Sequence, residues 1–272
     1  MKNTELIKKL TPVAQKNLGK TFFTLFLMVI LESLCSAVVV AATYFLNTQK
    51  VLLYCALFAG IFLWFLILIG FGVMLLRMAR GKFVTLGYLF YGFRRFRQFG
   101  PVALVHTVLT ALSVFVSVLV LLVLKKADSD ILTVLTQRYG ENSPMIFTVG
   151  LSVLVFLLLQ LPQIFLAFLR YDNPNKPVFL LSFESTLTFF RKFFKLFGFV
   201  FLAGGRNLFL AAFYFAVTLA ISGKEDSMVV QIFSVLFDFL YFINIYKAVS
   251  LMALSLPVFY EDLLAGDEPE GE

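Results

Sequence analysis

Residues 51–76 read VLLYCALFAGIFLWFLILIGFGVMLL, a stretch of 26 residues that contains no charged side chain. A transmembrane α-helix needs about 20 predominantly apolar residues to cross the hydrocarbon core of a bilayer. No strand-length alternation of polar and apolar residues is present, and an open sheet cannot cross lipid because its edge groups would lack hydrogen bonds. The stretch therefore predicts a membrane-spanning helix.

Five further stretches meet the same test of length and composition. The six predicted spans are Thr21 to Leu46, Val51 to Leu76, Val102 to Leu124, Met145 to Leu169, Leu196 to Ile221, and Met228 to about Ser250. We therefore predict an all-α fold, a polytopic transmembrane helical bundle with about six spans. Residues 1–265 would form a single integral membrane domain, and the acidic tail over 266–272 would be disordered.

The composition points to a membrane protein and away from the soluble classes. Of the 272 residues, 60% are hydrophobic and 14% are charged, whereas soluble domains are about half apolar and about a quarter charged. A soluble core of this size could not bury all 35 phenylalanines, but lipid can solvate them. The net charge of +7 would suggest nucleic acid in a soluble protein. Beside membrane spans, cations instead set orientation and contact anionic lipid, so we expect no nucleic-acid partner.

Lysine and arginine lie mostly on one side of the predicted spans. Sixteen lie in the N-terminal segment, between spans two and three, and between spans four and five, whereas five lie in the other loops. Cytoplasmic loops of polytopic proteins carry the excess of these residues. The bias predicts that both termini are cytoplasmic.

The loop before span five has the pattern of an amphipathic helix at the membrane surface. Between Val178 and Lys195, polar residues recur at helical spacing on one face, and phenylalanines occupy the other side. Rings in the acyl boundary and cations facing headgroups are typical of an interfacial helix. The segment from Lys82 to Phe99 is similar, so we predict two such cytoplasmic helices. The candidate lipid-headgroup contacts are Arg94, Arg95, Arg97, Arg191, Lys192 and Lys195.

The same two loops suggest an internal repeat. The sequence from Phe93 to Phe99 parallels that from Phe190 to Phe197 with a one-residue gap, and each segment joins an inward-going span to an outward-going one. We infer a possible parallel duplication of roughly 51–124 and 145–221, related by an axis along the membrane normal. The alternative is that two basic aromatic linkers converged on one composition.

Polar residues near the centres of predicted spans form a candidate intramembrane cluster. Each ionisable side chain there costs roughly 2.5 to 3.5 kcal/mol on the insertion scale. The cluster consists of Glu32, Arg206, Asn207 and Asp238. In one interpretation, Arg206 pairs with Asp238, Glu32 or both and holds helices together. In the other, the cluster lines a cavity and touches a substrate, an ion or a lipid headgroup.

Two further segments bear on the shape of the spans. Gln160, Pro162 and Gln163 interrupt span four and predict a kink, in which the glutamines satisfy the freed backbone carbonyl or face a wet crevice. Beyond span six, the stretch from Leu251 to Tyr260 is expected to lie along the cytoplasmic surface.

The sequence has little to support catalysis. It contains no P-loop, dinucleotide-binding turn, HExxH, CxxC or nucleophile elbow. The single histidine, His106, is expected near the membrane interface, and Cys35 and Cys55 read as small buried hydrophobes. We therefore expect a non-enzymatic protein that has no metal and no cofactor.

Several short motifs resemble a bacterial membrane-protein family known as domain of unknown function 975. They are Ala79-Arg80-Gly81, Phe90-Tyr91-Gly92-Phe93, Tyr171-Asp172-Asn173-Pro174 with Ser182 downstream, Phe194-Lys195-Leu196-Phe197, and Phe259-Tyr260-Glu261-Asp262-Leu263. The chain departs from that family at Pro162-Gln163, where the family has Pro-Gly, and at Gly204-Gly205-Arg206, where it has an aromatic Gly-Trp feature. The resemblance implies a multi-pass protein of the bacterial cytoplasmic (inner) membrane and supplies no activity or site residue.

These observations favour a lipid- or protein-binding membrane component. Its expected partners are the anionic headgroups of cytoplasmic-side lipids, with a membrane-protein partner as a further possibility. The alternative function is a small transporter or channel built around the charged cluster.

Overall fold

The computed structural model describes residues 3–46, 49–126, 143–221 and 228–266. In these residues the chain forms eight α-helices and no strand. The helices are α1 (Asn3–Leu46), α2 (Lys50–Ala79), α3 (Tyr91–Arg94), α4 (Phe96–Lys126), α5 (Ser143–Gln160), α6 (Leu166–Asp172), α7 (Val178–Ile221) and α8 (Met228–Gly266). Two short 3-10 helices lie at Leu86–Phe90 and Leu161–Gln163. The predicted acidic tail lies, apart from Gly266, outside the described residues.

Six helical segments of the described chain are long and apolar enough to cross a membrane. They are Asn3–Leu34, Val51–Ala79, Phe96–Val120, Val153–Asp172, Val178–Thr218 and Ser234–Ala265. The prediction of an all-helical fold with six segments able to span a membrane is therefore confirmed for the described residues. Two helices begin far ahead of their predicted spans, since α1 starts at Asn3 and not at Thr21, and α7 starts at Val178 and not at Leu196. The segment expected as an interfacial helix is thus continuous with span five.

The chain divides into two compact units. The terminal unit comprises the described residues of Met1–Ala37, Phe71–Tyr88 and Lys192–Glu272, and the central unit comprises those of Val38–Gly70 and Leu89–Arg191. The division falls within α1, α2 and α7, so each of these helices has residues in both units.

The core of the terminal unit includes the last turns of α8. Leu254, Phe259 and Tyr260 are buried, and the Phe259 ring stacks on Phe199 of α7 with centroids 6.2 Å apart. The expectation that the stretch from Leu251 to Tyr260 lies along the membrane surface is therefore wrong. Its apolar residues pack between helices, and Pro257 is accommodated within α8 without ending it.

A glycine lets α7 and α8 come close together in the terminal unit. A Cβ atom on Gly204 would lie 2.8 Å from the Met252 side chain and 3.0 Å from the Ala248 carbonyl oxygen. Such small-residue contacts let the backbones of transmembrane helices approach each other. The close approach determines which residues of α7 and α8 are neighbours.

The segment from Lys82 to Phe99 does not form one amphipathic helix, so that part of the prediction is corrected. Gly81, with φ of 68°, ends α2 in a left-handed turn, and its amide donates to the Met78 carbonyl at 3.0 Å. The chain then continues through non-helical residues, a 3-10 helix and the four-residue α3 before α4 begins at Phe96.

In the central unit the backbone at Gly92 presses against α2. A Cβ atom there would clash with the Leu66 carbonyl oxygen and lie 3.1 Å from its carbonyl carbon. This contact requires glycine and anchors the short α3.

The kink predicted in span four is confirmed. Helix α5 ends at Gln160, a 3-10 turn covers Leu161–Gln163, and α6 begins at Leu166. Proline removes a backbone donor and clashes with the preceding helical turn, so the regular helix cannot continue through Pro162.

Replacing Gly92 by alanine is expected to destabilise the protein by about 1 to 3 kcal/mol, since the new methyl group meets backbone that cannot rotate away. Gly60→Ala is the matched control, because a Cβ atom on Gly60 meets nothing within 4 Å. Thermal unfolding of both variants in the same detergent measures the difference. Equal melting temperatures for the two variants would show that the close contact at Gly92 is absent.

Candidate functional site

In the central unit, the break in span four is surrounded by polar side chains. Nδ1 of His106 donates to Oε1 of Gln160 at 2.6 Å. Nε2 of Gln160 donates to the His106 carbonyl at 2.9 Å and to the Thr110 hydroxyl at 3.0 Å. The His106 ring also stacks on Phe65, with centroids 5.1 Å apart. The histidine is thus held between α2, α4 and α5 within the protein.

The other half of the break is tied to α7. Gln163 donates to the Thr186 hydroxyl and accepts from the Ser182 hydroxyl, both at 2.8 Å. The buried Ser185 hydroxyl donates to the Pro162 carbonyl at 2.8 Å. Both glutamines therefore bond to neighbouring helices, and the described bonds of their amide nitrogens go to α4 and α7, not to a carbonyl of span four as one sequence interpretation expected. The arrangement is suited to fixing helix positions.

Arg170 has a structural role that the sequence did not indicate. Its Nε donates to the Gln98 carbonyl at 2.9 Å, and its Nη1 donates to the Lys176 carbonyl at 2.6 Å. Gln98 in turn donates to the Arg170 carbonyl at 3.0 Å. Lys176 pairs with Glu184 at the start of α7. Counting Arg170 only as a topology-determining cation overlooked this connection between α4, α6 and the α6–α7 loop.

Most of the candidate headgroup residues are exposed. Arg94, Arg95, Arg97, Arg191 and Lys192 all have exposed side chains, and none has a carboxylate partner among the described residues. Lys195 differs. Its Nζ lies 3.3 Å from Oδ2 of Asp262 and 5.6 Å from the centroid of the Phe259 ring. It therefore contributes to packing in the terminal unit.

An ion-pair cluster joins the end of α8 to α1, to α7 and to the turn that follows α2 in the terminal unit. Asp262 pairs with Lys195 and with Lys9 of α1, where Nζ and Oδ1 are 3.5 Å apart. The adjacent Glu261 pairs with Arg80, whose Nη2 lies 2.8 Å from Oε1. These acids lie at the end of the predicted membrane domain 1–265, and the sequence analysis assigned them no role. They directly follow Phe259 and Tyr260, which are buried.

The predicted intramembrane cluster is only partly brought together. Glu32 and Arg206 have exposed side chains, Asp238 is half-buried, and Asn207 is buried. Among the described residues, Arg206 forms no ion pair with either carboxylate. The groove that contains Arg206 and Asn207 is lined by neither Glu32 nor Asp238.

That groove lies between α1, α7 and α8 and has a volume of about 420 Å³. We call it the basic groove. Its lining includes two cations, Arg206 and Lys247, and no carboxylate. Asn207 lies on the same wall, and Thr11 and Gln15 contribute from α1. Lys247 is thereby a neighbour of Arg206 in the groove lining.

A second groove in the terminal unit has a mainly apolar character. It is lined by α1 residues that include Lys20 and Thr24, and by the loop that follows α2. Lys20 Nζ lies 5.4 Å from the centroid of the Phe83 ring. Because the Thr24 hydroxyl donates to the Lys20 carbonyl, this groove offers few polar groups that a ligand could use.

Comparison with protein-family models, curated proteins and solved structures finds no match to this chain. The resemblance to domain of unknown function 975 therefore stays an expectation, and the site must be interpreted from its own chemistry.

Removing the hydroxyl of Ser185 is expected to lower stability by about 1 kcal/mol, because the Pro162 carbonyl loses its interhelical donor. Ser33→Ala is the control, since the Ser33 hydroxyl bonds only to the Val29 carbonyl of its own helix. Chemical or thermal unfolding in detergent compares the variants. A Ser185→Ala protein as stable as Ser33→Ala would show that this bond does not hold the break to α7.

Proposed function

We propose that this protein is a non-enzymatic component of a bacterial cytoplasmic membrane that binds anionic lipid headgroups through two basic aromatic segments. The first segment contains Arg94, Arg95 and Arg97, and the second contains Arg191 and Lys192. The observation that carries the proposal is the exposure of all five cations without a carboxylate partner in the described residues.

The aromatic residues beside these cations support contact with a membrane. On α7, the exposed fractions are 79% for Phe179, 57% for Phe183 and 65% for Phe190. Their spacing places them along one side of the helix. Phe96, between the arginines of the first segment, is 52% exposed. Rings that face hydrocarbon next to cations that face phosphates are the arrangement of an interfacial anchor.

Charge gives such an anchor its preference for anionic lipid. Each Lys or Arg near an anionic membrane surface contributes about 1 kcal/mol, and the attraction falls off within a Debye length. Because no acid neutralises these five residues within the described chain, their charge is available to headgroups. The proposal places both segments and both termini on the cytoplasmic side, in accordance with the sixteen-to-five distribution of cations.

A partner protein in the same membrane is a second form of the same proposal, since exposed arginines and aromatic rings also suit protein contacts. Transport, the alternative inferred from sequence, would need a cavity that reaches Glu32, Arg206 and Asp238 together. The basic groove contains only Arg206 of these three. Lipid binding is therefore the function that we propose.

Replacing Arg94, Arg95 and Arg97 together by glutamine should lower the affinity for phosphatidylglycerol about a hundredfold at low ionic strength, because three contributions of about 1 kcal/mol are lost. Binding of labelled phosphatidylglycerol to the full chain in neutral detergent measures the effect, with phosphatidylcholine as the reference lipid.

The matched control replaces the same three arginines by lysine, which keeps the charge and should keep most of the affinity. High salt should weaken binding to the wild-type protein. An affinity that responds neither to the glutamine substitutions nor to salt would contradict the proposal.

The proposed topology is tested by fusions. Alkaline phosphatase fused after Ala265 should be inactive and green fluorescent protein at the same position should be fluorescent, because the C-terminus is expected in the cytoplasm. Fusion after Gly140, in a loop expected on the opposite side, should give the reverse pattern. Active phosphatase at Ala265 would invert the topology and remove both basic segments from the cytoplasmic surface.

A further inference from the structure

The basic groove carries an inference that is separate from the two surface segments. It uses none of their residues and lies wholly within the terminal unit. Arg206 and Lys247 both lie within helical segments that are long and apolar enough to span a membrane. Two cations of like charge therefore share one groove whose described lining offers no acid.

The packing of α7 and α8 accounts for this pairing. Gly204 meets Ala248 and Met252, so the two helices touch closely at that level. Arg206 lies two residues after Gly204, and Lys247 directly precedes Ala248. The close contact therefore holds the two cations at one height in the groove.

The groove also contains the amide of Asn207. This residue has an exposed fraction of only 7%, but its amide atoms are not among the buried unpaired polar atoms of the described residues, and no hydrogen bond to the amide is found there. An amide offers two donors and an acceptor. Gln15, exposed on the facing wall from α1, adds a second amide. The polar end of the groove is thus rich in donors.

The rest of the lining is apolar. Leu10, Leu18, Leu202 and Leu251 line the walls and suit a hydrocarbon chain. Arg206 lies eleven residues beyond Lys195 of the ion-pair cluster, which is about 16 Å along the axis of α7. An anion that contacts the two cations and has an apolar part against the leucines has the chemistry of a phospholipid.

We propose that the basic groove binds the phosphate group of an anionic phospholipid between Arg206 and Lys247. The Arg206 guanidinium matches two phosphate oxygens, Lys247 supplies a second positive charge, and the Asn207 amide donates to a third oxygen or to the headgroup. The acyl chain lies along the leucine wall. A soluble compound that carries a phosphate would make the same polar contacts as the lipid headgroup, but it would make no use of the apolar wall.

Native mass spectrometry of the full chain in neutral detergent tests the proposal by titration with phosphatidylglycerol. Replacing Arg206 and Lys247 by glutamine should lower the affinity of the tightest-bound lipid about thirtyfold, roughly fivefold for each cation. Lys16→Gln with Lys82→Gln is the matched control, because it removes the same charge from two exposed side chains that do not line the groove and should leave this lipid bound. Equal loss in both double variants would overturn the proposal in favour of non-specific attraction.

Two further arms separate the sources of the phosphate and guard against misfolding. Inorganic phosphate added at millimolar concentration should not displace the lipid, whereas tight binding of phosphate with no binding of phosphatidylglycerol would overturn the lipid assignment. Ala203→Phe fills the groove and keeps both cations, so it should also release the lipid. If the glutamine variant does not fold, unchanged lipid binding by Ala203→Phe refutes the proposal. Since the surface arginines are intact in all groove variants, failure here leaves the proposed function standing.

Discussion

Hydrocarbon as the surrounding solvent is the constraint on which the structure depends. Large apolar side chains point outward along the spans, with exposed fractions of 62% at Phe115, 65% at Leu158 and 74% at Phe209. In water each of these would be unfavourable, and in lipid they cost nothing. The same solvent offers no hydrogen bonds, so the backbone of each span must satisfy itself as a helix. Long, nearly uninterrupted helices follow directly.

The break in span four shows how the same constraint acts on polar groups, which find no hydrogen-bond partners in hydrocarbon. Pro162 prevents the helix from continuing, and the polar groups of this region cannot turn to water within a bilayer. The protein instead supplies partners from neighbouring helices. Ser185 satisfies the Pro162 carbonyl, and Gln160 and Gln163 form bonds to α4 and α7. A local defect in one helix therefore determines how three helices pack.

Much of the fold could be predicted because hydrophobic length is a local property of the chain. Span number, the kink at Pro162 and the helical class all follow from runs of residues that can be read without their neighbours. The prediction of an amphipathic helix from Lys82 to Phe99 failed for a non-local reason. The conformation of this segment depends on the close contact between Gly92 and the Leu66 carbonyl. The burial of Leu254 and Phe259 depends likewise on packing against α7.

The candidate site was predicted less well than the fold, because charge pairing depends on which helices become neighbours. The positions of ionisable residues near the centres of the predicted spans suggested a pair of Arg206 with Asp238, Glu32 or both. The close helix contact at Gly204 instead places Arg206 at the same level as Lys247 in the basic groove. The sequence assigned no partner to Asp262, which pairs with both Lys9 and Lys195. No periodicity in a single segment contains this information.

The distribution of acids decides which cations remain available to the membrane. The chain has 23 lysines and arginines but 16 acids. Among the described residues, Glu261 pairs with Arg80, and Asp262 pairs with Lys9 and Lys195. These ion pairs hold parts of the terminal unit together. The cations of the two surface segments and of the basic groove have no such partner. Lipid phosphates are the most abundant anions at a bilayer surface, so they are the natural counterions for positive charge that the protein leaves uncompensated.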